Sequence, residues 1–133
     1  MSNSPLNDYL SVQKNTLEGR DLEASVIDLA TQKLLAAQQI MMESNNPSAL
    51  DEALRFNQKV WTFFQAEMLD AENPMPIEIK QNILTLISFI DKHTFMIMAD
   101  PSPDKLDALI NINRNIASGL RHQELEINTN KTT

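Results

Sequence analysis

Leu106-Asp107-Ala108-Leu109-Ile110-Asn111-Ile112-Asn113-Arg114-Asn115-Ile116-Ala117-Ser118-Gly119-Leu120 is the stretch on which the fold turns. Its middle, Ile110-Asn111-Ile112-Asn113, alternates apolar and polar residues as a half-buried strand does. The flanks are helical instead. Ser102-Pro103 is a helix start, a capping hydroxyl followed by a proline whose fixed φ suits the first helical position. At helical period Leu106, Leu109, Ile110, Ile116, Ala117 and Leu120 share one face. The segment reads as a helix that closes near Gly119 to Arg121. Asn113 then falls inside the apolar stripe, with Asn111 and Asn115 on the wet side. A buried amide costs free energy unless it finds partners, which singles Asn113 out.

Upstream, the same period yields three more long helices. Asn73-Pro74-Met75-Pro76 is a stiff turn, and Ile77 to Ala99 follows it. Ile79, Ile83, Leu86, Ile87, Ile90 and Ile97 line one side of that helix, with Leu84 and Phe95 on another. Apolar residues on two sides predict burial on two sides, hence a central place in the bundle. Before it, Ser48 with Asp51 three residues on resembles a capping box, opening a helix to about Leu69. That helix buries Leu50, Ala53, Leu54, Val60, Trp61, Phe64 and Met68. Ser44-Asn45-Asn46-Pro47 breaks it from a helix over Arg20 to Met42, striped by Leu22, Val26, Leu29, Ala30, Leu34, Ala37 and Met41. Ser4-Pro5 caps a short helix over Leu6 to Lys14. Short connections favour antiparallel neighbours. The fold expected is all-α, a small bundle of four main helices plus a short N-terminal helix. Residues 1–121 form one helical domain in this reading, and residues 122–133, polar from Asn128 on, a flexible C-terminal tail.

Composition narrows the function. The 133 residues are 42% hydrophobic, with net charge −7, two glycines and no cysteine. That is enough apolar material for a core. An acidic field repels nucleic acid and anionic membrane surfaces. Without cysteine there is no disulfide, thiolate nucleophile or cysteine-ligated metal, which suits a reducing compartment. Met1-Ser2-Asn3-Ser4-Pro5 has no signal-peptide character and no run is long enough to span a membrane, so a cytoplasmic protein is expected. No GxSxG, GxGxxG or P-loop occurs. His93 and His122 stand alone, without metal-ligand spacing. Asp51, Glu52 and Asp107 lie near helix starts, where the dipole accounts for them. The expectation is no enzyme, no metal and no cofactor.

Asn57 interrupts the stripe Leu50, Leu54, Val60, Trp61, Phe64 as Asn113 interrupts the last helix. Two readings stand. The amides bond each other or a buried carbonyl and set helix register, or they line a groove and bond the backbone of a bound segment. Asn82, on the edge of its helix's apolar face, belongs with them in either case. Phe56 and Phe63, seven residues apart, border the stripe rather than centre it, a position suited to a partner-facing edge. Met41, Met42, Met68, Met75, Met96 and Met98 supply side chains that fill core gaps or adapt to a partner. Arg55, Lys59 and Arg114 are candidate contacting charges that a solvated face explains equally well. The candidate partner-binding set is Phe56, Asn57, Trp61, Phe63 and Asn113.

Four ordered blocks carry a resemblance. They are Leu50-Asp51-Glu52-Ala53-Leu54-Arg55-Phe56-Asn57-Gln58-Lys59-Val60-Trp61-Thr62, then Glu72-Asn73-Pro74-Met75-Pro76, then Gln81-Asn82-Ile83, and Ala99-Asp100-Pro101 through Leu106 to Leu120. A weaker one covers Tyr9, Val12-Gln13-Lys14 and Arg20-Asp21-Leu22-Glu23-Ala24. Together they resemble the FlaF family of alphaproteobacterial flagellar biosynthesis regulators, over about residues 9 to 121. Gly19, where the family usually has proline, and the polar tail depart from it. The resemblance implies a partner, flagellin, whose terminal segments are amphipathic, and a role as its dedicated chaperone that promotes its synthesis or export. It also implies a functional link to a second regulator, FlbT. Direct control of flagellin messenger RNA is the alternative, which the charge opposes, and a structural flagellar component is a third. Oligomeric state is open.

Overall fold

Four long helices carry the chain: α1 (Arg20–Ser44), α2 (Pro47–Leu69), α3 (Ile77–Ala99) and α4 (Leu106–Lys131), with a 3-10 turn at Pro103–Lys105 leading into α4. The computed structural model describes residues 19–44 and 46–131, with side chains from 21 to 122. The short helix expected over Leu6 to Lys14 lies outside the described residues. No strand occurs among the described residues, and Ile110-Asn111-Ile112-Asn113 is helical as its flanks require.

Helix starts follow local chemistry, with a correction at α2; Ser102 does open the 3-10 turn, but its hydroxyl bonds the Asp104 carboxylate and caps no backbone N–H. Asn46, not Ser48, caps α2: its Oδ1 accepts from the Ser48 backbone N–H at 3.0 Å and the Ser48 hydroxyl at 2.8 Å. Pro47 takes the first helical position, where its missing N–H costs nothing. The capping box does not form. Asp51 instead pairs with Arg55 one turn on, at 2.9 Å. Asp70 and Asn73 fold the α2–α3 turn by accepting from the N–H of Glu72 and Met75, both at 2.9 Å.

The end of α4 is a second correction. The helix passes Gly119 and continues to Lys131. One glycine costs about 1 kcal/mol against alanine, and neither a proline nor a left-handed turn follows to enforce a stop. Gln123-Glu124-Leu125-Glu126 are good helix formers and carry it onward.

The third correction concerns the centre. α1, not α3, is the central helix: it packs along both α2 and α4, while α3 lies against α2 and touches α4 only sparsely. Ala24, Ala30 and Ala37 of α1 are buried and let two neighbours approach closely. Gln38 donates to Asp107 Oδ1 at 2.8 Å, and Arg121 to Asp28 Oδ2 at 2.5 Å, so α1 and α4 run antiparallel. The core gathers Ile27 and Leu34 of α1, Leu54, Val60 and Trp61 of α2, Ile87, Ile90 and Ile97 of α3, and Leu106 and Leu109 of α4. Thr31 and Thr94, also buried, satisfy their hydroxyls on the carbonyls of Ile27 and Ile90, one turn back.

Candidate functional site

Three of the sequence-selected residues meet inside the bundle. Trp61 of α2 donates its indole Nε1–H to Asn113 Oδ1 of α4 at 3.0 Å, and Asn113 Nδ2 donates to Asn57 Oδ1 of α2 at 2.8 Å. All three side chains are at most 1% exposed. The indole nitrogen can only donate, so it fixes which way the Asn113 amide faces. Asn113 in turn fixes Asn57. The chain of bonds ends on Asn57 Nδ2, a buried donor with no partner among the described residues. The amides of Asn57 and Asn113 thus bond each other and tie α2 to α4.

Phe56 and Phe63 stand apart from that chain. Phe56 is buried, and the Lys33 ammonium lies 5.1 Å from its ring centroid while also reaching Glu52 at 3.8 Å. Phe63 is half-buried and meets Phe64 edge-on at 5.6 Å; Phe64 meets Trp61 at 5.8 Å. Asn82 is exposed and takes no part in the network. Lys59 and Arg114 are exposed, and Arg55 is engaged by Asp51.

Most of the exposed apolar surface lies elsewhere, on α3, with Met42 and Leu69 exposed at the ends of α1 and α2. Only Ile87, Ile90, Thr94 and Ile97 of this helix are buried. Phe95 is 73% exposed, Ile77 71%, Met96 59% and Phe89 48%. Phe89 and Met96, seven residues apart, stand on the outward side of α3, and Phe95 and Ile77 on the flank beside it. Phe89 stacks flat on His93 at 5.5 Å, and His93 Nε2 sits 2.9 Å from the Lys105 carbonyl, holding the end of α3 to the 3-10 turn. Sequence reading missed this surface by assuming that both apolar sides of α3 are covered. The second apolar side itself was the signal, and it does not say whether a neighbour covers it.

Electrostatically α3 itself is balanced, and the turns on either side of it are acidic. Residues 69–105 hold six carboxylates against three lysines. Lys105 is taken by Asp100, at 3.0 Å to its carboxylate and 2.7 Å to its carbonyl. The Ser102 hydroxyl donates to Asp104 and holds that carboxyl below the ordinary value, with its own backbone N–H assisting. Among the described residues no three His, Asp or Glu side chains converge as a metal site, and no helix is long and apolar enough to cross a membrane.

A family model described as flagellar protein FlaF matches residues 5–120. The chain belongs to the FlaF family. No curated protein and no solved structure matches it. The FlaF match takes in the Trp61–Asn113–Asn57 network and all of α3, and it ends at Leu120, eleven residues before the end of α4. It makes this helical bundle a flagellar protein.

Proposed function

We propose that this flagellar protein is a cytoplasmic, non-enzymatic chaperone that binds flagellin and promotes its synthesis or export. One observation carries the reading. α3 is apolar on two sides, yet the bundle covers it on one, so Phe89, Phe95 and Met96 stand in solvent. Exposed apolar area of this kind is costly to keep in a small acidic protein unless a partner covers it. Aromatic rings supply contact area with few rotors to freeze, and thioethers reshape to a partner. An amphipathic segment of flagellin, laid along α3 with its apolar face inward, uses the helix-in-groove mode of recognition.

The site thus moves from the Phe56–Asn113 set to α3. Asn57, Trp61 and Asn113 support it at a distance, by fixing α2, on which α3 rests. Calorimetric titration of purified flagellin tests the reading. Phe89→Ser with Phe95→Ser should weaken binding at least about ten-fold, since two aromatic anchors cost 1.4 kcal/mol or more between them. Helicity should stay unchanged, because neither ring is in the core, and the melting temperature should fall only slightly, through loss of the Phe89–His93 stack. Flagellin that fails to bind the wild-type protein refutes the proposal.

A further inference from the structure

On one flank of α3 a seven-residue repeat is written almost entirely in apolar residues: Ile77, Leu84, Asp91, Met98. Residues seven apart lie nearly above one another on a helix, and three such steps span about 32 Å. The stripe is open to solvent at Ile77 and Asp91, half-open at Leu84 and 38% exposed at Met98, with Phe95 standing beside it. Its Met98 end borders a cleft of about 160 Å³ lined by Pro47, Leu50, Leu54 and Pro101, with Asp51 at its edge held by Arg55, room for one aliphatic side chain.

Asp91 is the exception in the repeat. It makes no ion pair among the described residues. A charged residue at one seam position lowers the affinity of unsuitable helices and selects a partner with the opposite charge at the matching height. Directly opposite, at the matching height, a second copy of this chain does not supply one. In antiparallel self-pairing along the stripe, Asp91 faces Leu84 of the other copy. In parallel pairing it faces the other Asp91, and two chains of net charge −7 repel besides. The turns that flank α3 add Asp70, Glu72, Asp100 and Asp104, while α3 itself carries two carboxylates and two lysines.

We propose that the Ile77–Leu84–Asp91–Met98 stripe docks an amphipathic helix that carries a lysine or arginine within its apolar face, opposite Asp91, and an aliphatic anchor for the cleft beside Met98. The proposal rests on the reading of α3 as the partner-binding helix and names the chemistry of what binds there.

Two synthetic helical peptides of three heptads test it, identical except for lysine or glutamate at the centre of the apolar stripe. Titrated calorimetrically into the full chain, the lysine peptide should bind at least about ten-fold more tightly, since an opposite charge is exchanged for a like one. Asp91→Lys should reverse the preference. Phe95→Ser should weaken both peptides. Equal affinities, or a preference that survives Asp91→Lys, overturns the proposal. So does sedimentation that shows a dimer dissolved by Phe95→Ser, which would make the stripe a self-interface. Flagellin is run in parallel. Flagellin binding that ignores Asp91→Lys and Phe95→Ser sinks the stripe while the chaperone reading survives. A charge-selective stripe with no flagellin binding does the reverse.

Discussion

Replacing Asn113 by leucine keeps most of the side-chain volume while removing both polar atoms. Two buried groups then lose their partners, the Trp61 indole N–H and Asn57 Oδ1. Each costs about 1–3 kcal/mol when left unpaired inside a protein. The extra apolar burial of leucine returns about 1 kcal/mol, leaving a loss of about 3 kcal/mol. For a domain of this size that lowers the melting temperature by about 10 °C. Asn57→Leu makes the contrast. It strands Asn113 Nδ2 but also removes the Asn57 Nδ2 donor, which has no partner among the described residues, so the number of unpaired donors does not change. Its cost should stay below about 1 kcal/mol. Urea unfolding, followed by circular dichroism and by the fluorescence of Trp61, the single tryptophan, measures both variants. The reasoning fails if Asn57→Leu is as destabilising as Asn113→Leu, or if Asn113→Leu is neutral.

Two further outcomes are expected. Gly119→Ala should stabilise the protein by about 0.5–1 kcal/mol in the same urea titration, because Gly119 sits inside α4 with nothing within 4 Å of where a Cβ would go. Ser102→Ala should raise the carboxyl titration of Asp104, followed by NMR, toward the ordinary aspartate range, because the Ser102 hydroxyl is the leading cause of its depression. The sign for stability is fixed by the same shift. A carboxyl held low in the folded state stabilises it at pH above the unfolded value, and that contribution is lost as pH falls through the folded value.

Much of the site's raw material is legible in the sequence, though its assignment is not. Asn57 and Asn113 are conspicuous because each interrupts an apolar stripe, and they bond each other across α2 and α4. Phe56 and Phe63 look like an interface edge from their wheel positions, but Phe56 is covered and lies beneath Lys33 of α1. A wheel shows the angle at which a residue leaves its own helix and says nothing of the neighbour it meets. α3 illustrates the same limit in the opposite direction. Its second apolar side is plain in the sequence, whereas its lack of a cover is not.

The sequence by itself determined the four long helices and, to within a few residues, most of their ends. Period 3.6, proline placement and capping side chains act within one or two turns, so they can be read locally. It also singled out two amides that interrupt apolar stripes, without deciding whether they face the core or a groove. Tertiary structure alone decided that α1 rather than α3 is central and that Trp61 reaches Asn113, 52 residues away. It alone decided that one face of α3 remains in solvent. Apolar periodicity records that a surface favours removal from water, and every apolar surface satisfies that demand equally. Which neighbour covers it follows from side-chain volumes and helix order across the whole chain, with Ala24, Ala30 and Ala37 admitting two helices against α1 and leaving α3 at the edge.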